Sequence, residues 1–160
     1  MPHELLQGLA PVDAEKVLSL GTRKRISAGS SLFRLGDLAQ CLYLVESGRI
    51  RLTLPLQIGD RKEEVLIEEK GPGQTVGWSA LIPPYRFTLS AAADTDTEVV
   101  TLTPEMLHGF FESSPSLGAR LCLNLALIIG HRLQTLQAMW LREVQRTVEL
   151  HSAAAAANTR

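Results

Sequence analysis

Between residues 21 and 76 no stretch of the chain can serve as a crossover helix, and this constrains the fold more than any other feature. Parallel strands need such a crossover of a dozen or more residues, so the strands here must run antiparallel. The strand-like runs read RKRIS, SLFR, CLYLVES, IRLTLPLQ, EEVLIEE, FTLSAAA and TEVVTLT. Turn chemistry separates them: SAGS, LGD, SGR, IGDRK and KGPGQ. About seven or eight short strands at regular spacing predict an antiparallel roll or sandwich. In IRLTLPLQ, Ile50, Leu52, Leu54 and Leu56 share one face while Arg51, Thr53 and Pro55 share the other. That alternation predicts a half-buried strand. Pro55 lies on its outward phase near the end, where a missing donor costs least.

Helical patterning flanks this region. APVDAEKVLSLG predicts a short helix with Pro11 at its first position and Gly21 at its exit. After residue 103 the period is helical to the end. Thr103-Pro104 and Ser114-Pro115 each place a hydroxyl cap before a proline, predicting two successive helix starts. The second helix should run from 115 to about 151, roughly 50 Å at 1.5 Å per residue. The β-rich part, at about 100 residues, should have a radius of gyration of about 13 Å, so the helix is expected to overhang it. The expected organisation is a roll domain with an N-terminal helix over 1–114, a long helix over 115–151 and a tail over 152–160.

Hydrophobic residues make up 45% of the 160 and charged residues 21%, enough to bury a core. A formal net charge of −1 gives no general attraction to nucleic acid or to membrane surfaces. Arg23, Lys24 and Arg25 form the one basic cluster, expected to be a solvated strand edge. No stretch reads as an export signal or a membrane span, so a cytoplasmic protein is expected. Cys41 and Cys122 are far apart and in no metal or redox spacing, and are expected to be buried free thiols. His3, His108, His131 and His151 fall on no strand and in no paired ligand spacing, so no metal site is expected. No catalytic arrangement stands out, and the chain is expected not to be an enzyme.

The stretch GQTVGWSALIPPYRF carries the clearest chemistry. A glycine-marked turn leads into a short apolar helix, and the amides of Trp78, Ser79, Ala80 and Leu81 could cradle an anion. The Ser79 hydroxyl could add one bond. Along the long helix, Cys122, Leu125, Ile129, Leu133, Leu136, Trp140 and Val144 recur at steps of three or four. Such a stripe needs cover along its length: the helix either folds back as ordinary core or, as expected here, pairs with the same helix of a second copy, with Leu125, Ile129, Leu133, Leu136, Trp140 and Val144 at the interface. Gly118 and Gly130 would permit close backbone approach.

This order of elements resembles the cyclic nucleotide-binding domain family, specifically the effector half of Crp/Fnr-type regulators. SAGSSLFRLGDLAQCLYLVESGRIRL is similar to the family's opening hairpins, with Gly29, Gly36 and Gly48 at turns. GPGQTVGWSAL resembles its phosphate cassette, with Gly73 and Gly77 in place, and HRLQTLQ resembles the middle of its dimer helix. The resemblance implies a mainly β fold, an antiparallel double-stranded β-helix or jelly roll followed by a long helix. It implies a non-enzymatic, homodimeric sensor. It places the ligand site at Gly77, Trp78, Ser79, Ala80, Leu81, Arg86, Phe87 and Thr88, with Leu136 and Gln137 at the base-contacting positions.

Two departures bear on the ligand. Trp78 stands where cyclic-nucleotide binders hold the ribose hydroxyl with a glutamate, and an indole offers no carboxylate. Phe87 stands where they place the phosphate-binding arginine. Arg86 is one residue early, which on a strand turns it to the opposite face. Cyclic nucleotides are therefore disfavoured. The readings left open are a pocket closed by Trp78 as core and one holding a different small anion. A DNA-binding regulator remains the alternative, its helix-turn-helix absent from the given sequence, which is not expected to bind nucleic acid directly. A haem sensor using His108, His131 or Cys41 as axial ligand is a further alternative.

Overall fold

A computed structural model describes residues 3–157. The chain opens with a 3-10 turn at Glu4–Leu6 and helix α1 at Pro11–Leu20. Eight strands follow: β1 (Thr22–Ile26), β2 (Ser31–Phe33), β3 (Leu42–Ser47), β4 (Ile50–Ile58), β5 (Arg61–Lys70), β6 (Thr75–Val76), β7 (Ser90–Ala93) and β8 (Thr97–Leu102). A 3-10 turn at Trp78–Leu81 separates β6 from β7, and helices α2 (Pro104–Ser113) and α3 (Pro115–Ala157) close the chain. All strand pairs are antiparallel, in two four-stranded sheets ordered β1-β8-β3-β6 and β2-β7-β4-β5.

The predicted proline starts are present. Pro11 opens α1, and the Thr103 hydroxyl accepts from the Met106 amide at the start of α2. Gly29, Gly36 and Gly48 all hold positive φ, at 79°, 87° and 82°. β6 is only two residues long and has no periodicity to announce it. FTLSAAA yields a strand only from Ser90 onward.

The alternation in IRLTLPLQ holds for its first half alone. Ile50 and Leu52 are buried, but Leu54 is half-buried and Leu56 is exposed. Beyond Thr53 both faces of β4 lose their cover: β7 pairs with β4 only as far as Thr53, and Pro55, Gln57 and Ile58 are exposed as well. At the same level β5 carries a bulge, since Leu52 lies opposite Glu68 and Thr53 opposite Leu66, which makes Ile67 the extra residue.

Two compact units divide at Leu125, within α3. The first unit takes the start of α3, where buried Asn124 donates from Nδ2 to the Leu5 carbonyl (2.8 Å) and the Gln7 carbonyl (2.9 Å). The boundary expected at 114 therefore moves into the helix. In the second unit the helix continues past 151, so residues 152–157 are helical rather than a tail. Residues 158–160 of the expected tail lie outside the described residues. Neither cysteine is buried: Cys41 is half-buried and Cys122 exposed.

Candidate functional site

The cassette is built on Gly77, whose φ of 82° is left-handed. A β-carbon there would lie 3.1 Å from the Phe87 ring, 3.2 Å from the Cys41 carbonyl and 3.3 Å from Tyr43. Only glycine lets the chain pass so close to its neighbours in this conformation. The turn that follows holds four residues, Trp78–Leu81, and the Ala80 amide donates to the Gly77 carbonyl at 3.1 Å. Ala80 therefore has no amide to spare for an anion, a correction to the expected cradle. Ser79 and Ala80 are buried, and Trp78 and Leu81 half-buried.

The segment leading out of the cassette docks against the β2–β3 connection. The Phe87 amide donates to the Asp37 carbonyl (3.0 Å), and the Gly36 amide donates to the Phe87 carbonyl (2.8 Å). Leu38 and Arg86 form an isolated antiparallel bridge. Extended pairing sends neighbouring side chains to opposite sides. Phe87 is accordingly buried, whereas Arg86 is exposed and its Nη1 donates to the Gly36 carbonyl at 2.8 Å. Thr88 is exposed.

The interior beside the cassette is filled by rings. Phe33 stacks on Phe87, and Tyr43 lies 5.8 Å from Phe33. Val45, Val76 and Ala80 complete the packing. Phe87 rather than Trp78 is thus the aromatic residue that fills the core. Burial pushes the Tyr43 phenol up, and a hydrogen bond with Cys41 adds to the shift, so the phenol stays neutral.

Sequence reasoning missed an ion pair on the same inward face. Lys70 lies opposite Ile50 and Glu68 opposite Leu52, and the Lys70 ammonium meets Glu68 at 2.6 Å. Lys70 is buried. Their two-residue spacing was a usable signal, but the bulge concealed which face they take.

The remaining expected residues are not gathered at the cassette. Leu136 and Gln137 are exposed on α3. Of the expected interface, Leu125 is buried within its own unit and Ile129 is half-buried, while Leu133, Leu136, Trp140 and Val144 are exposed. His108 borders a small apolar crevice of about 170 Å³ with Leu81, Leu107 and Leu125, and His131 is exposed. Among the described residues no group of three or more His, Cys, Asp or Glu could hold a metal ion. No helix among them is long and apolar enough to cross a membrane.

The cyclic nucleotide-binding domain family matches residues 23–114. The cyclic AMP receptor protein of Thermus thermophilus is 34% identical over 148 residues, 92% of this chain and 62% of that protein. The crystal structure of the Thermus thermophilus catabolite activator protein superposes with a TM-score of 0.64 at 32% identity, covering 93% of this chain and 63% of that one. CLP of Xanthomonas campestris, described as a c-di-GMP responsive global regulator, superposes with a TM-score of 0.73 at 25% identity, covering 83% and 64%. The chain belongs to the cyclic nucleotide-binding domain family. Within it, the domain is of the Crp/Fnr type, and the chain spans about 62% of the length of its Thermus relative.

Proposed function

We propose that this chain is a non-enzymatic regulatory module whose roll is closed to cyclic nucleotides, and that it acts in the cytoplasm as a homodimer paired through α3. The stack of Phe87 on Phe33 carries the reading, because it occupies the interior at the position where the family's binders keep a phosphate-binding arginine. Trp78 supplies no carboxylate for a ribose, and Arg86 is engaged with the Gly36 carbonyl outside the core. Charge-assisted hydrogen bonds contribute about 1.5–3 kcal/mol each. Losing two of them weakens binding by roughly two to four powers of ten. Any ligand would work by favouring one pose of α3 over another, which requires unequal affinity for the two. Because the chain spans 62% of its Thermus relative, the effector half of a DNA-binding regulator fits the same module.

Calorimetric titration with cyclic AMP and cyclic GMP tests the proposal. The unmodified protein should bind neither below the micromolar range, and Trp78→Glu with Phe87→Arg should create measurable binding. A submicromolar dissociation constant for the unmodified protein would overturn it. Saturable binding of inorganic phosphate or sulfate at the Trp78 and Ser79 amides would replace the closed roll with a small-anion site.

A further inference from the structure

The outward face of the β2-β7-β4-β5 sheet holds a cleft of about 560 Å³, within the size range of small-molecule sites. The register explains its shape. Ser31 and Arg51 each lie opposite Ala92, and Thr53 lies opposite Ser90 on one side and Leu66 on the other. These residues face away from buried Ile50, Leu52, Ala91 and Ala93. Ser31, Ser90 and Ala92 are small and form a trough. Larger side chains wall it, Arg34 and Leu35 after β2 and Lys62, Glu64 and Leu66 on β5.

The charges in this trough do not cancel. Arg51 is paired with Asp94 at 3.1 Å, and the Glu64 carboxylate accepts from the Thr53 hydroxyl at 2.5 Å. The side chains of Arg34 and Lys62 have no ion pair or hydrogen bond among the described residues. Arg34 and Lys62 thus outnumber the one carboxylate, Glu64, in a cleft whose other surfaces include Leu35, Leu66 and Pro55. Leu35 and Leu66 are 42% and 47% exposed, so an apolar body would gain contact there.

We propose that this cleft binds a phosphate monoester with an apolar body, its dianion held by Arg34 and Lys62 and its body resting on Leu35, Leu66 and Pro55. Guanidinium and ammonium groups suit this chemistry, the first as a planar fork and the second as a point charge. The site lies on the opposite face of the sheet from the roll interior, so it does not depend on whether the roll is closed.

Titration of the isotopically labelled protein with phenyl phosphate, followed by amide NMR shifts, tests the site. Saturable shifts are expected at Leu35, Thr53, Lys62, Leu66 and Ser90, with inorganic phosphate and phenol each binding more weakly. Arg34→Gln with Lys62→Gln should weaken binding about tenfold or more. Glu64→Gln, which removes the one carboxylate in the cleft, should strengthen it. These exposed substitutions should leave the spectrum otherwise dispersed, so loss of binding is separable from loss of fold. Shifts centred on Trp78–Leu81, equal binding of inorganic phosphate, or a double variant that binds as before would each overturn the proposal.

Discussion

The rings of Phe33 and Phe87 stack with centroids 3.6 Å apart and planes 9° from parallel. They join β2 to the segment leaving the cassette, and both are buried. Phe87→Ala should destabilise the protein by about 3–5 kcal/mol, the range for a buried phenylalanine. Thr88→Ala, one residue on and exposed, should stay within about 0.5 kcal/mol. Urea unfolding of the two variants checks the contrast, and equal midpoints would remove Phe87 from the core.

Gly77 and Gly36 separate conformational strain from packing. Both have positive φ, 82° and 87°, but only Gly77 has atoms within 4 Å of a built β-carbon. Alanine at either position meets the left-handed cost of about 1–2 kcal/mol. Gly77→Ala should cost more, because the Phe87 ring, the Cys41 carbonyl and Tyr43 must give way. Thermal unfolding of both variants should rank Gly77→Ala below Gly36→Ala, and the reverse order would show that the cassette tolerates a side chain.

The far part of α3 offers the dimer test. Trp140 is 68% exposed and Leu136 39% in the single chain, on a stripe with Leu133 and Val144. Burying such side chains contributes about 1.5–3 kcal/mol each. Sedimentation equilibrium should give a two-fold mass, reduced by Leu136→Glu with Trp140→Glu. An unchanged mass in that variant would exclude pairing through this stripe.

His3 gives the pH dependence a sign. Burial lowers its pKa below the ordinary value of 6.5, against an opposing pull from Glu46. Its folded form favours the neutral ring, so its full contribution is present above pH 6.5. As pH falls from 6.5 through the lowered folded value, the unfolded chain binds more protons and stability drops. His3→Gln should therefore flatten the fall in urea midpoint between about pH 7 and pH 5. A parallel fall in the variant would assign the pH dependence to other groups.

Much of the roll was legible because its signals are local. Turn glycines, Pro11, Thr103-Pro104 and the two-residue alternation each state a backbone preference within a few positions. The bulge at Ile67 was not legible, since one inserted residue leaves the composition of both strands intact while reversing the phase of β5 beyond it. That reversal hid the face taken by Lys70 and Glu68, whereas Leu56 is exposed because β7 pairs with β4 only as far as Thr53. At the site, the opposite facing of Arg86 and Phe87 followed from strand geometry alone. That Phe87 rather than Trp78 fills the interior depends on Phe33, which is 54 positions away along the chain. No window of local sequence holds that relationship.

The N-terminal turn has a consequence for how the protein behaves in company. β6 lies at the edge of its sheet, and Glu4 occupies the chain beside it. The Glu4 amide donates to the Gly73 carbonyl at 2.7 Å, and its carboxylate accepts from the Thr75 amide at 2.7 Å. One residue thus copies the donor and acceptor pattern of a neighbouring strand and then places a charge on it. An uncovered edge of this kind is a template for aggregation, and a negatively charged stopper is a recurrent defence. With Leu5 and Leu6 buried behind it, the first turn acts as a lid on the sheet's growth as well as part of its core.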